Sequence, residues 1–213
     1  MKERICYVVG AGENFGLDFQ PATGDFVIAA DAGLRYLEKQ GIRADLVIGD
    51  FDTLKYIPGH SKTIALSAEK DDTDTLAAVR EGIMAGYTSF HIYCGTGGRI
   101  DHTMANLQVI AYLSANNMRG FLFDNGTVIT AITNGSLCFG KILCGYVSVF
   151  SCSEKAEGVT LCGLKYELNN ATLTNTFPIG VSNEFIGRES SISVSSGTLF
   201  IVFPKAAKER IIQ

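Results

Sequence analysis

Basic clusters, paired cysteines and long apolar runs are all missing from this sequence. Its 18 Lys and Arg residues are scattered among 22 Asp and Glu residues, so the net charge is -4 and no basic patch for nucleic acid is formed. The first apolar run, residues 5–9, is too short for a signal peptide or a membrane span. These absences predict a cytoplasmic protein that binds neither nucleic acid nor membranes.

The cysteines do not occur in the C-x-x-C spacing of zinc sites and redox motifs. Most of them fall in or near segments with the composition of strands. We therefore expect small buried hydrophobic residues in a reducing compartment, without disulfides or zinc. The six cysteines are Cys6, Cys94, Cys138, Cys144, Cys152 and Cys162.

Tryptophan is absent too, but other apolar residues are plentiful. The 213 residues are 46% hydrophobic, enough for the core of one large domain or two small ones. Up to residue 124, apolar runs alternate with helical patterns, which is typical of a parallel sheet with flanking helices. After Asp124-Asn125-Gly126 the helical patterns stop. We predict an α/β domain over residues 1–124 and an all-β sandwich domain over residues 127–213.

Short segments rich in β-branched and aromatic residues make up the predicted second domain. The expected strands are residues 128–132, 146–150, 159–162, 192–194 and 199–203. The turn residues expected to separate them are Asn134-Gly135, Gly158, Asn169-Asn170 and Ser196-Gly197.

Two carboxylates follow the apolar run Leu46-Val47-Ile48, which has the length of a strand. They belong to Asp50 and Asp52, and at a strand end the turning chain lets both side chains converge on one point. In an open α/β sheet ligands bind at that edge, and such a pair suits a hard divalent cation shared with phosphate oxygens. An isolated Asp-x-Asp is also typical of a solvated turn, so the interpretation depends on further clusters.

Further clusters of polar residues occur in the same half of the chain. They are Asp31 after residues 27–30, Lys70-Asp71-Asp72-Thr73-Asp74 before a predicted helix, and Gly97-Gly98-Arg99 with Asp101 and His102. Asp72 or Thr73 can cap the helix, which accounts for one acidic residue of its cluster and not for all. Arg99 supplies a planar fork of donors for a phosphate, beside glycines that allow close approach of the backbone. His102 is left unassigned, since a polar capping role would explain it.

A glycine-rich turn after the first strand imitates a dinucleotide-binding fingerprint. Gly10 and Gly12 are followed by a glycine at position 16 instead of 15, and Pro21 interrupts the helix that the fingerprint requires. The sequence therefore argues against nicotinamide binding, and Asp31 is interpreted as a strand end followed by a turn.

In their order along the chain, these motifs resemble those of the thiamine pyrophosphokinase family, over nearly the whole sequence. The matching segments are the alanine-rich turn at Asp31, Gly49-Asp50-Phe51-Asp52, Asp71-x-Thr73-Asp74, Gly97-Gly98-Arg99-x-Asp101, Gly163-Leu164-Lys165-Tyr166 and Val181-Ser182-Asn183-Glu184-Phe185. The resemblance implies an α/β catalytic domain, a β-sandwich, a homodimer and Mg²⁺. It also implies transfer of the β,γ-pyrophosphoryl group of ATP to the hydroxyl of thiamine, giving thiamine diphosphate and AMP.

The site that this resemblance implies draws on both predicted domains. The expected metal ligands, which also act in catalysis, are Asp50, Asp52 and Asp74. Arg99 is expected to contact the phosphate chain, and Asp74 or Asp52 to orient or deprotonate the attacking hydroxyl. The expected nucleotide-side residues are Asp31, Asp71, Thr73, Asp101 and Asn106. The expected thiamine-binding residues are Tyr166, Ser182, Asn183 and Phe185.

The absence of tryptophan bears on thiamine binding. The aromatic residue after Leu164-Lys165 is Tyr166, so the ring that stacks on the cationic thiazolium stays open between Tyr166 and Phe185. The short connection at Gly126 gives little reach for closing the two halves of one chain on each other. We therefore predict that the thiamine site lies at the interface of two subunits.

Two other functions fit part of the pattern. The first is a pyrophosphokinase for another primary alcohol such as a hydroxymethylpterin, against which the Ser182-Asn183 segment argues. The second is a thiamine or nucleotide sensor without turnover. A binder of a cationic ligand has no need of Arg99 together with the metal carboxylates, so the intact acidic set favours the enzyme.

Overall fold

The computed structural model describes residues 3–51, 55, 59–60, 62–67, 71–142 and 144–212. Contacts within the chain divide it into two compact units. The first comprises Met1–Val109 and Gly120–Asp124, and the second comprises Ile110–Arg119 and Asn125–Gln213. Within the described ranges, every helix is too short or too polar to cross a membrane.

The first unit is built on parallel strand pairs. Its strands are β1 (Cys6–Val9), β2 (Phe26–Ala30), β3 (Leu46–Gly49), β4 (Thr63–Ala65), β5 (Ser89–Tyr93) and β6 (Arg119–Phe123). The helices are α1 (Gly33–Lys39), α2 (Asp74–Met84) and α3 (Ile100–Ala115), the last of which contributes residues to both units. The strand order is β6-β5-β1-β2-β3-β4, and β1 pairs in parallel with β2 and β5, as β3 does with β2 and β4.

Continuous apolar runs form these strands because both faces of the sheet are covered. Every residue of β1, β3 and β5 is buried. On one face α2 packs closely at Gly82, where a Cβ atom would stand 2.6 Å from the Phe90 ring and 2.7 Å from the Cys6 sulfur. On the opposite face aromatic rings stack, with centroids 4.1 Å apart for Tyr7 and Phe19. This packing fixes the strand ends that follow.

The second unit is antiparallel. Its strands are β7 (Thr127–Thr133), β8 (Ser136–Phe139), β9 (Tyr146–Ser151), β10 (Lys155–Cys162), β11 (Leu168–Thr174), β12 (Asn183–Glu184), β13 (Ser190–Ser193), β14 (Thr198–Pro204) and β15 (Ile211–Ile212). Neighbouring strands are hydrogen-bonded in two groups, in the orders β12-β9-β14-β7 and β11-β10-β13-β8-β15. Phe139 of β8 packs against Phe203 of β14 and so connects the two groups of strands, with ring centroids 5.2 Å apart. A 3-10 helix, Lys205–Arg210, has no counterpart in the sequence prediction.

Two of the predicted turns are wrong. Gly158 and the pair Asn169-Asn170 lie inside β10 and β11 and do not separate strands. Gly158 has φ 66° and Asn170 has φ 51°, and the β10–β11 register shifts near both of them. A bulge accommodates such a left-handed residue and lets pairing continue, so the residue type indicated the backbone conformation correctly and the strand end wrongly.

The cysteine prediction is correct for some positions and wrong for others. All six cysteines are free, and Cys6 and Cys94 are buried, which raises the pKa of the Cys94 thiol to about 12. Cys144 and Cys162 are exposed. Cys162 ends β10, where the alternation of the strand points it outward, and Cys144 lies in the connection before β9.

Candidate functional site

The carboxyl ends of the parallel strands in the first unit bring several predicted site residues to one edge. Gly10 follows β1, Asp31 follows β2, Asp50 follows β3 and Cys94 follows β5. The strand order reverses between β1 and β5, because the chain runs from β1 to β4 on one side and places β5 on the other. Ligands of open α/β sheets bind outside this edge.

Backbone groups fill the space directly above β1 and β5. The Gly10 amide donates to Tyr93 O (2.9 Å), and the Gly12 amide donates to Cys94 O (2.8 Å). A Cβ atom on Gly12 would stand 2.5 Å from Thr96 O, so the two loops meet only because that residue is glycine. Tyr36 Oη donates to Gly12 O at 3.0 Å, a contact that nothing in the sequence signals.

Asp31 is the most deeply buried of the described acidic residues at this edge. Asp31 is 5% exposed, and its backbone φ angle is 48°. Its backbone amide donates to Ile48 O at 2.8 Å. Among the described residues, no hydrogen-bond donor reaches its Oδ1 atom.

After β3, the structure describes the chain through Asp50 and Phe51. Asp50 is half-buried at the end of β3, and Phe51 is buried with φ 60°. The left-handed conformation at Phe51 turns the chain sharply after Asp50. Asp52, the second predicted ligand of this motif, lies outside the described residues, as does Lys70 of the next motif.

The start of α2 holds the next acidic cluster. Thr73 is the N-cap, and its Oγ1 accepts from the Leu76 amide at 3.2 Å. Of the two predicted capping residues, Asp72 and Thr73, the structure therefore confirms Thr73. Asp74 is the first residue of the helix and is half-buried, whereas Asp71 is exposed. Asp72 forms an ion pair with Arg80 on the same helix. The cap and the ion pair account for Thr73 and Asp72 of this cluster.

Replacing Thr73 with alanine removes the acceptor for the Leu76 amide at the start of α2. We expect the free energy of unfolding to fall by about 1 kcal/mol, measured by urea denaturation. Thr73→Ser keeps the hydroxyl and serves as the matched control, with a stability close to that of the parent protein. Equal stability of the alanine variant and the parent would contradict the capping role.

Arg99 and Asp101 pair with each other beside the Gly97-Gly98 turn. Arg99 Nη2 donates to Asp101 Oδ2 at 2.6 Å and Nε donates to Oδ1 at 3.2 Å, with the two side chains 73% and 60% exposed. The hydrogen bonds from Arg99 hold the pKa of Asp101 below its usual value. The guanidinium is thereby oriented by Asp101 in an exposed position.

Asn106 and Thr96 form hydrogen bonds with residues that follow β5 and β6 at the same edge. Asn106 is buried, and its Nδ2 donates to Gly95 O at 2.7 Å. Thr96 Oγ1 donates to Asp124 Oδ1 at 2.7 Å. The sequence indicated Asp124 only as part of a turn; its position directly after β6 was the signal that could have placed it at this edge.

In the second unit, Asn183 binds the backbone of Tyr166. Asn183 Oδ1 accepts from the Tyr166 amide at 2.9 Å, and its Nδ2 donates to Tyr166 O at 2.6 Å. Asn183 is 5% exposed while Tyr166 is 59% exposed. The amide of Asn183 thus holds the tyrosine backbone, while the exposed Tyr166 ring has Lys165 Nζ 5.4 Å from its centroid.

Ser182 and Phe185, the other predicted thiamine-binding residues, differ in exposure. Ser182 is exposed with φ 58°, and its amide donates to Ser148 Oγ at 3.0 Å. Phe185 is 3% exposed, and its ring centroid lies 5.2 Å from that of Phe139. Of the two predicted stacking residues, Tyr166 is exposed and Phe185 is buried.

A cavity of about 240 Å³ lies elsewhere in the second unit and contains no predicted site residue. Its lining residues are Val149, Phe150, Ser151, Leu173, Thr174, Asn175, Thr176, Phe177, Pro178 and Gly180. No charged side chain lines this cavity.

The donor set at the strand edge fits a hard divalent cation. Across the described ranges, no three His, Cys, Asp or Glu side chains are grouped to hold a metal ion by themselves. Mg²⁺ needs fewer protein ligands, because it commonly takes one or two carboxylates and completes its shell with water and substrate phosphates. Asp50 and Asp74 carry carboxylates, and no donor in the described part of the chain reaches the buried Oδ1 of Asp31. These residues could hold the cation.

Comparisons with known proteins cover both units. A family model described as thiamin pyrophosphokinase, catalytic domain, matches residues 22–122. A second model, described as thiamin pyrophosphokinase, vitamin B1 binding domain, matches residues 139–199. Together the two matches include well over half of the chain, in the order that the sequence motifs indicated.

Individual relatives agree with these matches. The chain is 28% identical over 207 residues to thiamine pyrophosphokinase of Bacillus subtilis (strain 168), covering 93% of this chain and 97% of that protein. The crystal structure of the Bacillus subtilis protein has a TM-score of 0.81 at 26% identity and covers 94% of this chain and 99% of its own. A thiamin pyrophosphokinase family protein from Enterococcus faecalis has a TM-score of 0.83 at 29% identity, covering 95% and 99%. The chain belongs to the thiamine pyrophosphokinase family.

Proposed function

We propose that this protein transfers the pyrophosphoryl group of ATP to the hydroxyl of thiamine and releases thiamine diphosphate and AMP. One observation carries the proposal: a chain of this family presents carboxylates at the carboxyl edge of its parallel strands, where phosphates and a cation can be bound. Such transfer asks a protein mainly for positioning and for neutralisation of charge around the phosphates.

The phosphate side of the reaction is assigned to the first unit. Asp50, Asp52 and Asp74 are the proposed residues that would hold Mg²⁺, and the ion would neutralise negative charge on the phosphates. Arg99, oriented by Asp101, contacts the phosphate chain. The remaining proposed nucleotide-side residues are Asp31, Asp71, Thr73 and Asn106.

The chemical step breaks one P–O bond and forms another. The thiamine hydroxyl oxygen attacks the β-phosphorus of ATP, and the bond from that phosphorus to the oxygen shared with the α-phosphorus breaks, so that oxygen leaves with AMP. Asp74 or Asp52 orients the hydroxyl and accepts its proton. Asp74 occupies the first position of α2, where the helix dipole also stabilises its negative charge.

The thiamine side is assigned to the second unit. Tyr166 offers an exposed ring to the cationic thiazolium, which an aromatic face attracts. Ser182 offers its hydroxyl to the aminopyrimidine. Asn183 contributes by holding the Tyr166 backbone, and Phe185 by forming the apolar base behind that segment.

The assembly that we propose is a homodimer in the cytoplasm. Residues 1–124 form the catalytic domain, and residues 127–213 form a β-sandwich that binds thiamine. Each site then joins the catalytic domain of one subunit to the thiamine-binding domain of the other. The short connection at Gly126 supports this arrangement, because it gives little reach for closure within one chain.

Incubation of the purified protein with ATP, Mg²⁺ and thiamine tests the reaction. We expect AMP and thiamine diphosphate in equal amounts, identified by chromatography and mass spectrometry. ADP with thiamine monophosphate would contradict pyrophosphoryl transfer and indicate an ordinary kinase. A hydroxymethylpterin offered in place of thiamine serves as the matched control for the acceptor, and binding of thiamine without turnover would identify a sensor.

A further inference from the structure

Lys165 and Glu184 form an ion pair beside the exposed ring of Tyr166. Lys165 Nζ donates to Glu184 Oε1 at 2.6 Å, and the same ammonium group lies over the Tyr166 ring, 5.4 Å from its centroid. The hydrogen bond to Glu184 raises the pKa of Lys165, so this group stays positively charged. The aromatic ring that we assign to a cationic substrate therefore already has a cation of the protein against it.

The backbone brings these three side chains together. The Lys165 amide donates to Glu184 O at 3.0 Å, so the two residues are neighbours across adjacent segments. Successive side chains of an extended strand point to opposite faces, but the chain bends at Lys165 and Tyr166, and the ammonium reaches the neighbouring ring. Asn183 holds the Tyr166 backbone through two further hydrogen bonds. The position of the ring beside the ion pair is thus fixed by the fold.

A cationic ring stacked on Tyr166 would compete with the Lys165 ammonium. Two positive charges at one aromatic face repel each other, and both are attracted to the same Glu184 carboxylate. The Lys165 side chain is 44% exposed, so it can move into water and regain rotamer freedom when it is displaced. Glu184 lies on β12, which pairs with β9, and stays in place. A cationic acceptor then replaces one positive charge with another, whereas a neutral acceptor offers Glu184 no replacement.

We propose that Glu184 is the counter-ion of the acceptor's cationic ring and that Lys165 occupies this position until the acceptor binds. The inference rests on the proposed function for the identity of the acceptor. Tyr166 supplies the face on which the ring stacks, and the ion pair determines the charge that the ring must carry. Glu184 favours an acceptor with a permanent positive charge, and Lys165 weakens acceptor binding because it must first be displaced.

Binding of thiamine to the full-length protein without ATP, measured by isothermal titration calorimetry, tests this assignment. Exposed ion pairs and cation–π contacts each change affinity by a few-fold, so we expect Glu184→Gln to weaken thiamine binding by about three- to fivefold. Lys165→Met should strengthen binding by a similar factor, because it removes the competing charge and keeps a long side chain. Lys165→Gln, which is neutral and polar, should do the same and separates the loss of charge from added apolar surface.

A neutral analogue of thiamine separates an effect of charge from a change in the shape of the site. In this analogue a thiophene replaces the thiazolium, and the aminopyrimidine and the hydroxyethyl arm are kept. We expect Glu184→Gln to change the affinity for the analogue by less than about twofold, because the analogue has no charge to pair with the carboxylate.

Glu167→Gln is the matched control variant. Glu167 is an acidic residue of the same segment, but its carboxylate pairs with Arg188 at 3.7 Å and accepts from the Gly163 amide at 2.8 Å. The variant therefore removes the same charge from a different ion pair. We expect its affinity for thiamine to stay within about twofold of the parent.

Several results would overturn the inference. An unchanged thiamine affinity of Glu184→Gln would show that its carboxylate does not face the acceptor, and an equal loss of affinity for the neutral analogue would show a structural role. Unchanged or weaker thiamine binding by both Lys165 variants would show that the lysine does not compete. Failure of the proposed function is a separate result, in which the parent binds thiamine in calorimetry but forms no thiamine diphosphate with ATP and Mg²⁺. A parent protein that binds no thiamine would contradict both.

Discussion

Asparagine in place of Asp50 should lower turnover by about a hundredfold or more, because one preorganised charge at the phosphates is removed. Asp50 is half-buried at a strand end, so the fold should survive the substitution. The same loss is expected for Asp74→Asn at the first position of α2, and for Asp52→Asn in the same motif. Steady-state rates of AMP formation measure the effect, and circular dichroism verifies the fold.

Asp72→Asn is the matched control for these variants. It removes a carboxylate two residues from Asp74, but that carboxylate pairs with Arg80 at the helix surface. Surface ion pairs contribute little, so turnover should stay within about a factor of two of the parent. Near-normal turnover of the Asp50, Asp52 and Asp74 variants alike would show that these aspartates serve only as turns and caps.

Mixing two inactive variants should restore activity if each site is shared between subunits. One variant carries Asp50→Asn, and the other carries Tyr166→Ala with Ser182→Ala. After random exchange half of the dimers are mixed, and one of the two sites in each mixed dimer combines undamaged domains. The expected rate is therefore about a quarter of the parent rate.

A second mixture controls for nonspecific recovery. Asp50→Asn and Asp74→Asn damage the same domain, so every site in their mixed dimers keeps one defect and no recovery is expected. Native mass spectrometry follows subunit exchange in both mixtures. Exchange without recovery in the first mixture would place both halves of each site in the same subunit.

Sequence reasoning could predict the edge at which the acidic residues meet. Buried parallel strands require continuous apolar runs, and the one or two residues after each run must then lie at the carboxyl edge. Asp31 and Asp50 follow from this rule alone. The rule does not give the environment of each side chain. That no described residue donates to Asp31 Oδ1 is a tertiary feature, which periodicity does not specify.

In the second unit, strand ends and the exposure of aromatic residues were harder to predict from the sequence. Glycine and asparagine indicate a left-handed backbone, but the same conformation occurs in turns and in bulges, so Gly158 and Asn170 were placed between strands instead of within them. Exposure of Tyr166 and burial of Phe185 depend on contacts between segments distant in sequence. Composition near each aromatic residue carries no information about those contacts.

The hydrogen bonds between Asn183 and Tyr166 constrain any attempt to engineer a new acceptor specificity. The asparagine side chain donates to Tyr166 O and accepts from the Tyr166 amide, so it needs one atom of each polarity. Aspartate has the same size but would place two oxygens against each other. A library that varies position 166 while keeping Asn183 would sample new rings on an unchanged backbone, whereas varying both together would lose the support on which each new ring depends.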